Sequence, residues 1–448
     1  MKYIPQSPED RKDILNALGL EAAEDVFSEI PKHLRLAHNF DYPTAQSEME
    51  LRKTFDQIES LSPSPELSFA GCGIYPHDVP SIVGFLQSRS EFATAYTPYQ
   101  PEVSQGLLQC IFEYQTLACQ LTEMELSNAS LYDGATSLGE ALLMGLRIKK
   151  KSEGKILVSE LLHPHYEEVL RTYCEAFLDR MEIIPSLNGR LDLQALASRL
   201  EKNDVDFLIT QSPNIFGGIE SYSKIGKLVK DHNIFWISST MEPLSFGMTR
   251  GPGFYGAHIA TAEGQSFGNH AYLGGSSFGI FCTRNEFLRN LPGRLVGESI
   301  DEEERRAFTL TFATREQFIR RGRATSNICT NNNLNMLAGL IHLATLGKNG
   351  VKELAEINFS KTEYLKGALR EIKSVEIDDA PTFNEFCLVI KNKTASDLLK
   401  KSASENWICG VDLGRFKDKW KQRLLIHTSE LHSKDQLDRL IRFIRQEA

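Results

Sequence analysis

No lysine occurs between Lys230 and Lys348, although arginine is plentiful there. The middle of the chain therefore offers no primary amine to a carbonyl group. The eight cysteines, Cys72, Cys110, Cys119, Cys174, Cys282, Cys329, Cys387 and Cys409, include no Cys-x-x-Cys pair. That scatter excludes a disulfide framework or a zinc ribbon and fits a reducing compartment. Long apolar runs are also missing: nothing approaches the roughly 18 residues of a membrane span, and the first residues, Met1 to Lys12, are polar. A cytoplasmic protein with no membrane partner is the expectation. A net charge of −9 argues against a nucleic-acid surface as the main business. The one basic crowd, Arg315, Arg320, Arg321 and Arg323 in a helix-like segment, has the acids 301–304 nearby to pair with.

What is present is an ordinary globular composition: 448 residues, 41% hydrophobic and 24% charged, enough for a large core and two or three domains. Residues 1–60 read as a helical extension. Ser7-Pro8-Glu9-Asp10 supplies a cap, a proline at the first helical position and first-turn acids; Ile14, Leu15 and Leu18 follow at helical spacing, and Gly19 ends the helix. A short helix over 22–30 stops at Pro31, and a polar one covers 45–61. Helices of about three turns do not stand alone, so this extension is expected to pack against a neighbour.

Residues 61–330 read as a large α/β domain. Short apolar strands at 156–159, 181–185, 207–210, 234–238, 258–262 and 280–283 mostly alternate with helical patterns at 138–151, 165–177, 193–202 and 224–232. Strands apolar on both faces and separated by helices predict a mainly parallel sheet. Residues 331–448, with long helices over 334–346 and 351–369, strands at 374–378, 386–390 and 423–427 and a last helix from 433, read as a small α+β domain.

Ligands of such sheets bind beyond the strands' carboxyl ends. Those ends carry His163-Pro-His165, Gln211-Ser-Pro-Asn214, Ser238-Ser-Thr240 and the loop 265–269. His163 and His165 lack a third metal ligand, so stacking or hydrogen bonding is the expectation. Gly134-Ala-Thr136-Ser137 opens a helix with small residues and hydroxyls, an arrangement that either receives a phosphate on free N–H groups or simply caps the helix. In 94–106 two prolines are expected to keep the backbone irregular around Tyr96, Tyr99 and Gln100. That segment is either a rigid surface loop or one presenting phenols and an amide to a ligand. Thr325, Ser326, Asn327 and Thr330 surround Cys329, and they suit an anion, a ring edge or the cap of the following helix.

The stretch from Ala257 to Gly279, a strand running into a glycine-punctuated loop, organises the rest. Its layout resembles that of pyridoxal-phosphate (PLP) enzymes, in which such a loop carries the lysine holding the cofactor as a Schiff base. This chain has Gln265, Ser266 and Asn269 instead, and Ile237-Ser-Ser-Thr-Met-Glu242 lacks the aspartate that keeps the pyridine nitrogen protonated. Two chemically independent requirements fail together. The chain is expected to depend on a partner for the chemistry.

Longer motifs sharpen this. Tyr96-Thr-Pro-Tyr-Gln-Pro-Glu102 with Ser104-Gln-Gly106, residues 128–136, Gln211-Ser-Pro-Asn214, Pro292-Gly-Arg-Leu-Val-Gly297, Arg315-Glu-Gln317 and residues 324–330 resemble subunit 1 of the glycine cleavage system P-protein family, where that protein is split in two. The resemblance implies an aspartate-aminotransferase-like, fold type I PLP architecture and a heterotetramer with a lysine-bearing subunit 2 that binds PLP covalently. It implies decarboxylation of glycine, with the aminomethyl group passed to the lipoyl group of H-protein. It further implies that no residue here bears the Schiff base. Tyr96, Tyr99, Gln100 and Cys329 would lie near the substrate, and Ser326, Asn327 and Thr330 near a shared cofactor phosphate, while Gly134 and Thr136 would be a vestigial phosphate cap. His258, Phe318, Gly322-Arg323 and residues 270–276 depart from the family's usual wording. Two other readings are a regulatory or scaffolding pseudoenzyme and a self-sufficient enzyme with an unorthodox lysine.

Overall fold

The structure is a computed structural model that describes residues 6–36, 41–61, 64–93, 96–150, 153–272, 277–313 and 316–448; Arg315 lies outside them. The chain divides into two compact units, Met1–Ser64 and Pro65–Ala448. In the first, helix Pro8–Leu18 is boxed by Ser7 and Asp10 and closed by Gly19 at φ 69°, as its turn chemistry requires. The short helix expected over 22–30 is a 3₁₀ turn, Ala23–Phe27. Helix Glu48–Ser60 has the same kind of cap from Ser47 and Glu50. Neither α-helix buries a residue, and Leu18, Met49, Phe55 and Leu61 are exposed.

The second unit is built on a seven-stranded sheet of β1 (Leu126–Ser127), β2 (Lys155–Ser159), β3 (Met181–Ile184), β4 (Val205–Gln211), β5 (Phe235–Thr240), β6 (Ile259–Glu263) and β7 (Gly279–Thr283). The spatial order is β1-β7-β6-β5-β4-β2-β3, with β7 alone running against the others. That reversal accords with the link between β6 and β7, whose described residues hold no crossover helix. Alternate residues bury opposite faces. Ile156, Val158, Phe207, Ile209 and Ile237 pack with Leu138 and Leu142, whereas Leu157, Leu208 and Trp236 pack with Leu196, Ile225 and Val229. Both faces are covered, which is why the strands read as continuous apolar runs.

The backbone at 96–100 is irregular, as expected around Tyr96, Tyr99 and Gln100, whereas helix α1 (Pro101–Thr122) corrects the expectation for 101–106. Pro101 occupies its first turn, where a missing N–H costs nothing, and the break falls at Ser104 (φ −127°, ψ 18°). Helix α2 spans Gly134–Ile148. A hairpin of β8 (Leu295–Ile300) and β9 (Arg306–Thr311) follows the sheet. Helix α3 (Asn333–Arg370) joins the two helices expected there across a break at Gly347 (φ 60°, ψ −178°). The C-terminal part is an antiparallel sheet of β10 (Val375–Ile377), β11 (Glu385–Ile390), β12 (Val411–Asp412) and β13 (Arg423–His427), in the order β10-β11-β13-β12. Helix α4 (Lys434–Glu447) buries Leu437, Leu440 and Ile444 in the same core. Strand Leu67–Ser68 pairs in parallel with Trp407–Ile408, so the second unit begins within its own C-terminal layer.

Candidate functional site

The carboxyl ends of β2, β4, β5 and β6 converge where a sheet of this kind binds its ligand, and the chain has filled that cleft with its own side chains. Gln265 accepts the Tyr75 N–H at 2.8 Å, while its Nε2 donates to Tyr75 O at 3.1 Å and Asn269 O at 2.8 Å. Ser266 donates to Glu242 at 2.9 Å. Glu242 also accepts the Leu244 N–H and faces His77 Nε2 at 3.3 Å, and His77 Nδ1 lies 2.9 Å from Glu430. Burial opposes charging of His77, but the hydrogen bonds and charges of the two glutamates win and push its pKa up to about 10.

The start of α2 is taken in the same way. Asp133 caps it, accepting the Thr136 N–H at 2.6 Å, and the Gly134 N–H donates to Glu263 at 3.0 Å. The Ser277 hydroxyl donates to the other oxygen of Glu263. Burial pushes Glu263 up to about 8, aided by the Asp133 charge and opposed by N–H donors including that of Gly134. A Cβ on Gly134 would stand 2.3 Å from the Tyr166 hydroxyl. An internal carboxyl and a phenol thus occupy the place of an anion.

His163 and Cys72 look like a nucleophile and its base, but the proton is on the wrong nitrogen. The His165 N–H donates to His163 Nδ1 at 3.1 Å, so the neutral ring carries its hydrogen on Nε2 and donates to Cys72 O at 3.2 Å, with Sγ at 3.3 Å. Burial holds His163 near 4, hence neutral. His165 packs its ring tilted against His163 and edge-on against Phe416, at 5.2 Å each, so the histidine pair hydrogen-bonds and packs at an angle without stacking. A Schiff-base cofactor does not fit these residues. The loop has amides and hydroxyls for an amine, the anion cup is taken, and the carboxylate facing the ring position is already engaged with an imidazolium.

The second constellation gathers most of the remaining sequence candidates around a residue they did not include, Arg294. Its side chain is 4% exposed. It donates to Tyr99 OH at 2.7 Å, Cys329 O at 2.8 Å, Glu316 at 2.8 Å and, more weakly, Thr330 Oγ1 at 3.4 Å. The guanidinium also lies over the Tyr99 ring at 4.7 Å. Thr330 meets Thr97 at 3.0 Å, the Cys329 N–H donates to Tyr132 OH at 2.9 Å, and Tyr96, exposed, has the Cys329 thiol as the main charge raising its phenol. Phe318 packs edge-on against Tyr99. Gln100 is exposed at the start of α1 and makes no side-chain cap, and Asn327 is exposed too. Ser326 faces Glu140 and accepts the Ile328 N–H at 3.1 Å. The capping alternative for 325–330 is overturned, because the N-cap of α3 is Asn332, which makes no side-chain cap, and its amide donates to Tyr132 O and Ser277 O instead. Arg321 and Arg323 are exposed. Arg294 had two sequence signals, its place in the motif Pro292-Gly-Arg-Leu-Val-Gly297 and a charge set between Leu291 and the apolar pair Leu295-Val296.

The model of the family described as "Glycine cleavage system P-protein" matches residues 1–444. The chain belongs to the glycine cleavage system P-protein family. It is 41% identical over 441 residues to the probable glycine dehydrogenase (decarboxylating) subunit 1 of Geotalea uraniireducens and 39% identical over 442 residues to that of Listeria monocytogenes, with 98% of both chains covered in each case. Among solved structures it is similar to a glycine decarboxylase (P-protein) of the glycine cleavage system in inhibitor-bound form, with a TM-score of 0.88 and 36% identity over the whole of both chains. A sphingosine-1-phosphate lyase from Burkholderia pseudomallei (TM-score 0.67, 12% identity, 93% of this chain and 94% of that one) shares the fold alone. So does an alanine–glyoxylate aminotransferase from Nostoc (0.60, 14%, 92% and 99%). The fold is type I of the PLP-dependent enzymes, as the motifs implied. Among the described residues no helix is long and apolar enough to cross a membrane.

Proposed function

We propose that this chain is the non-lysine-bearing subunit of a cytoplasmic glycine decarboxylase. In this reading two copies assemble with two lysine-bearing subunits, and the complex decarboxylates glycine and passes the aminomethyl group to the lipoyl group of H-protein. PLP is bound covalently by the partner. This chain's own cleft does not fit that group, so no step is assigned to it there. The chain's part is to wall, orient and dry the partner's site with Tyr96, Tyr99, Gln100 and Cys329 on the substrate side and Ser326, Asn327 and Thr330 on the phosphate side. Arg294 positions Tyr99, the Cys329 carbonyl and Thr330. The boundaries at 60/61 and 330/331 remain part of the proposal.

One observation carries the reading: a partly exposed set of phenols, a thiol and hydroxyls is held in place by a buried ion pair, while the chain's own strand-end cleft is plugged. The test compares chain and complex. The chain alone with PLP is expected to show no Schiff-base absorbance, and the complex to show it. Tyr96→Phe and Thr330→Ala are expected to assemble normally and to lower turnover, a misplaced donor being worth on the order of 10²-fold. Unchanged turnover in both variants would make the chain a scaffold and sink the proposal.

A further inference from the structure

Four asparagines crowd the start of α3, Asn331, Asn332, Asn333 and Asn335. Asparagine is a weak helix former whose usual place is the cap, yet no side-chain cap is made there. Their amides go to three other loops instead. Asn332 and Asn335 donate to Ser277 O at 2.9 and 2.8 Å, Asn332 also to Tyr132 O at 2.9 Å, and Asn269 of the plugged cleft donates to Asn335 O at 3.1 Å. Asn331 and Asn333 form a separate relay. The Asn331 amide donates to Ala129 O at 3.0 Å and to Asn333 Oδ1 at 2.6 Å, and the Asn333 amide, its oxygen so engaged, donates to Tyr96 O at 3.1 Å. Both side chains belong to buried residues, 4% and 7% exposed, whereas Tyr96 is 73% exposed. The Ala129 N–H donates to Arg294 O at 2.8 Å. The relay therefore begins on the backbone beside Arg294 and ends on the Tyr96 carbonyl.

We propose that Asn333, oriented by Asn331, is a positioning residue for Tyr96, a role that rests on the reading of this chain as a glycine decarboxylase subunit. Arg294 holds Tyr99, the Cys329 carbonyl and Thr330 by side-chain bonds. Tyr96 is held from a second side, through its backbone. The Asn333 amide touches the carbonyl and leaves the phenol alone, so it sets where the ring starts from and not the ring's own polarity. Asn331 fixes which way that amide faces: with Asn333 Oδ1 accepting, only the nitrogen is left to meet Tyr96 O. Buried Pro98 and the contact of Thr97 with Thr330 at 3.0 Å secure the residues that follow. A side chain that must present its hydroxyl to a reacting group from an exposed loop depends on such anchoring.

The test uses the assembled complex and a double-mutant cycle. Asn333→Asp keeps the acceptor for Asn331, and an acid suits the start of a helix, but a carboxylate oxygen then faces Tyr96 O where the donor was. This variant is expected to assemble normally and to lower turnover by roughly tenfold to 10²-fold, the upper figure being that of about 1 Å of misplacement. In a Tyr96→Phe background the same substitution is expected to cost no more than about twofold, because the hydroxyl it positions is gone. If Asn333→Asp does not assemble, Asn333→Ala carries the same cycle. Equal losses in the two backgrounds would make Asn333 a folding residue only and overturn the proposal. So would full turnover in the Asn333 variant beside a slow Tyr96→Phe, which leaves the proposed function standing. Full turnover in Tyr96→Phe itself would overturn this role together with the place given to Tyr96 in that function.

Discussion

At Arg294 a nearly sealed guanidinium makes four hydrogen bonds, to Tyr99, Cys329, Glu316 and Thr330. A planar fork reaches several acceptors at once, which the point charge of lysine cannot do. Removing it takes an ion-pair partner from the Glu316 carboxylate, 10% exposed, and breaking a buried pair from one side costs about 3–5 kcal/mol. Arg294→Met is therefore expected to lower the urea-unfolding free energy by roughly that amount, and adding Glu316→Gln to recover most of it. Turnover of the complex should stay low in the double variant, on the order of 10²-fold down, because Tyr99 and Thr330 remain unheld. If turnover returns along with stability, Arg294 acts on folding alone. The sequence exposed the phenols and hydroxyls of this cluster because they share short polar segments. Arg294 and Glu316 stand in the motifs 292–297 and 315–317, but their pairing across 22 residues is not readable there.

Elements were legible where both faces are buried and illegible where pairing is local and half-exposed. The strands β2, β4, β5 and β6 announce themselves as apolar runs. The β8–β9 hairpin does not, because Ser299 and Ile300 are exposed and its turn, Asp301-Glu-Glu-Glu-Arg305, holds a positive φ at Glu304, where glycine or asparagine would have signalled it. The start of α2 was readable as a helix opening but not as a filled one, since Tyr166 and Glu263 come from distant segments. Gly134 is the residue on which that filling depends: an added Cβ meets Tyr166 OH at 2.3 Å and Glu263 N at 3.0 Å. Overpacking of this kind costs about 1–3 kcal/mol, so Gly134→Ala is expected to lower the unfolding midpoint. Tyr166→Phe removes the clashing oxygen, which has no hydrogen-bond partner, and should restore much of the loss in the double variant. Additive losses would mean the strain is relieved elsewhere.

Across the whole second unit, the large and small sheets are joined by buried charge as well as by apolar packing. His77 bridges Glu242, after β5, to Glu430, after β13; Asn358 of α3 donates to Glu430 at 2.9 Å, and Glu385 of β11 accepts the Cys72 N–H at 2.6 Å and the Tyr75 hydroxyl at 3.0 Å. His427 and His342 face the same cluster, and burial first, then the His77 charge, lowers both, so they stay neutral. Each titrating group gives stability a definite slope. His77 rises from 6.5 to about 10, so its contribution is complete below pH 6.5 and is lost as pH climbs through 10. Burial lifts Glu385 and Glu263 from 4.5 to about 8, so ionising them also costs stability as pH rises through that range. Glu430, whose burial is outweighed by the His77 hydrogen bond, falls from 4.5 to about 2, and its contribution is lost only as pH drops through 2. Glu430 and His77 both contribute in full between pH 4.5 and 6.5, where the losses from Glu385 and Glu263 run against the gains from neutral His427 and His342; above pH 6.5 only losses remain, and stability is expected to decline. The His77 share of that decline is on the order of 4 kcal/mol. A urea-unfolding series from pH 6.5 to 10 on the wild type and on His77→Gln checks this: the variant should be weaker at the acid end, where two carboxylates face each other without a cation, and its slope with pH shallower. Parallel slopes for the two proteins would show that the bridge between the sheets does not hold the proton assigned to it.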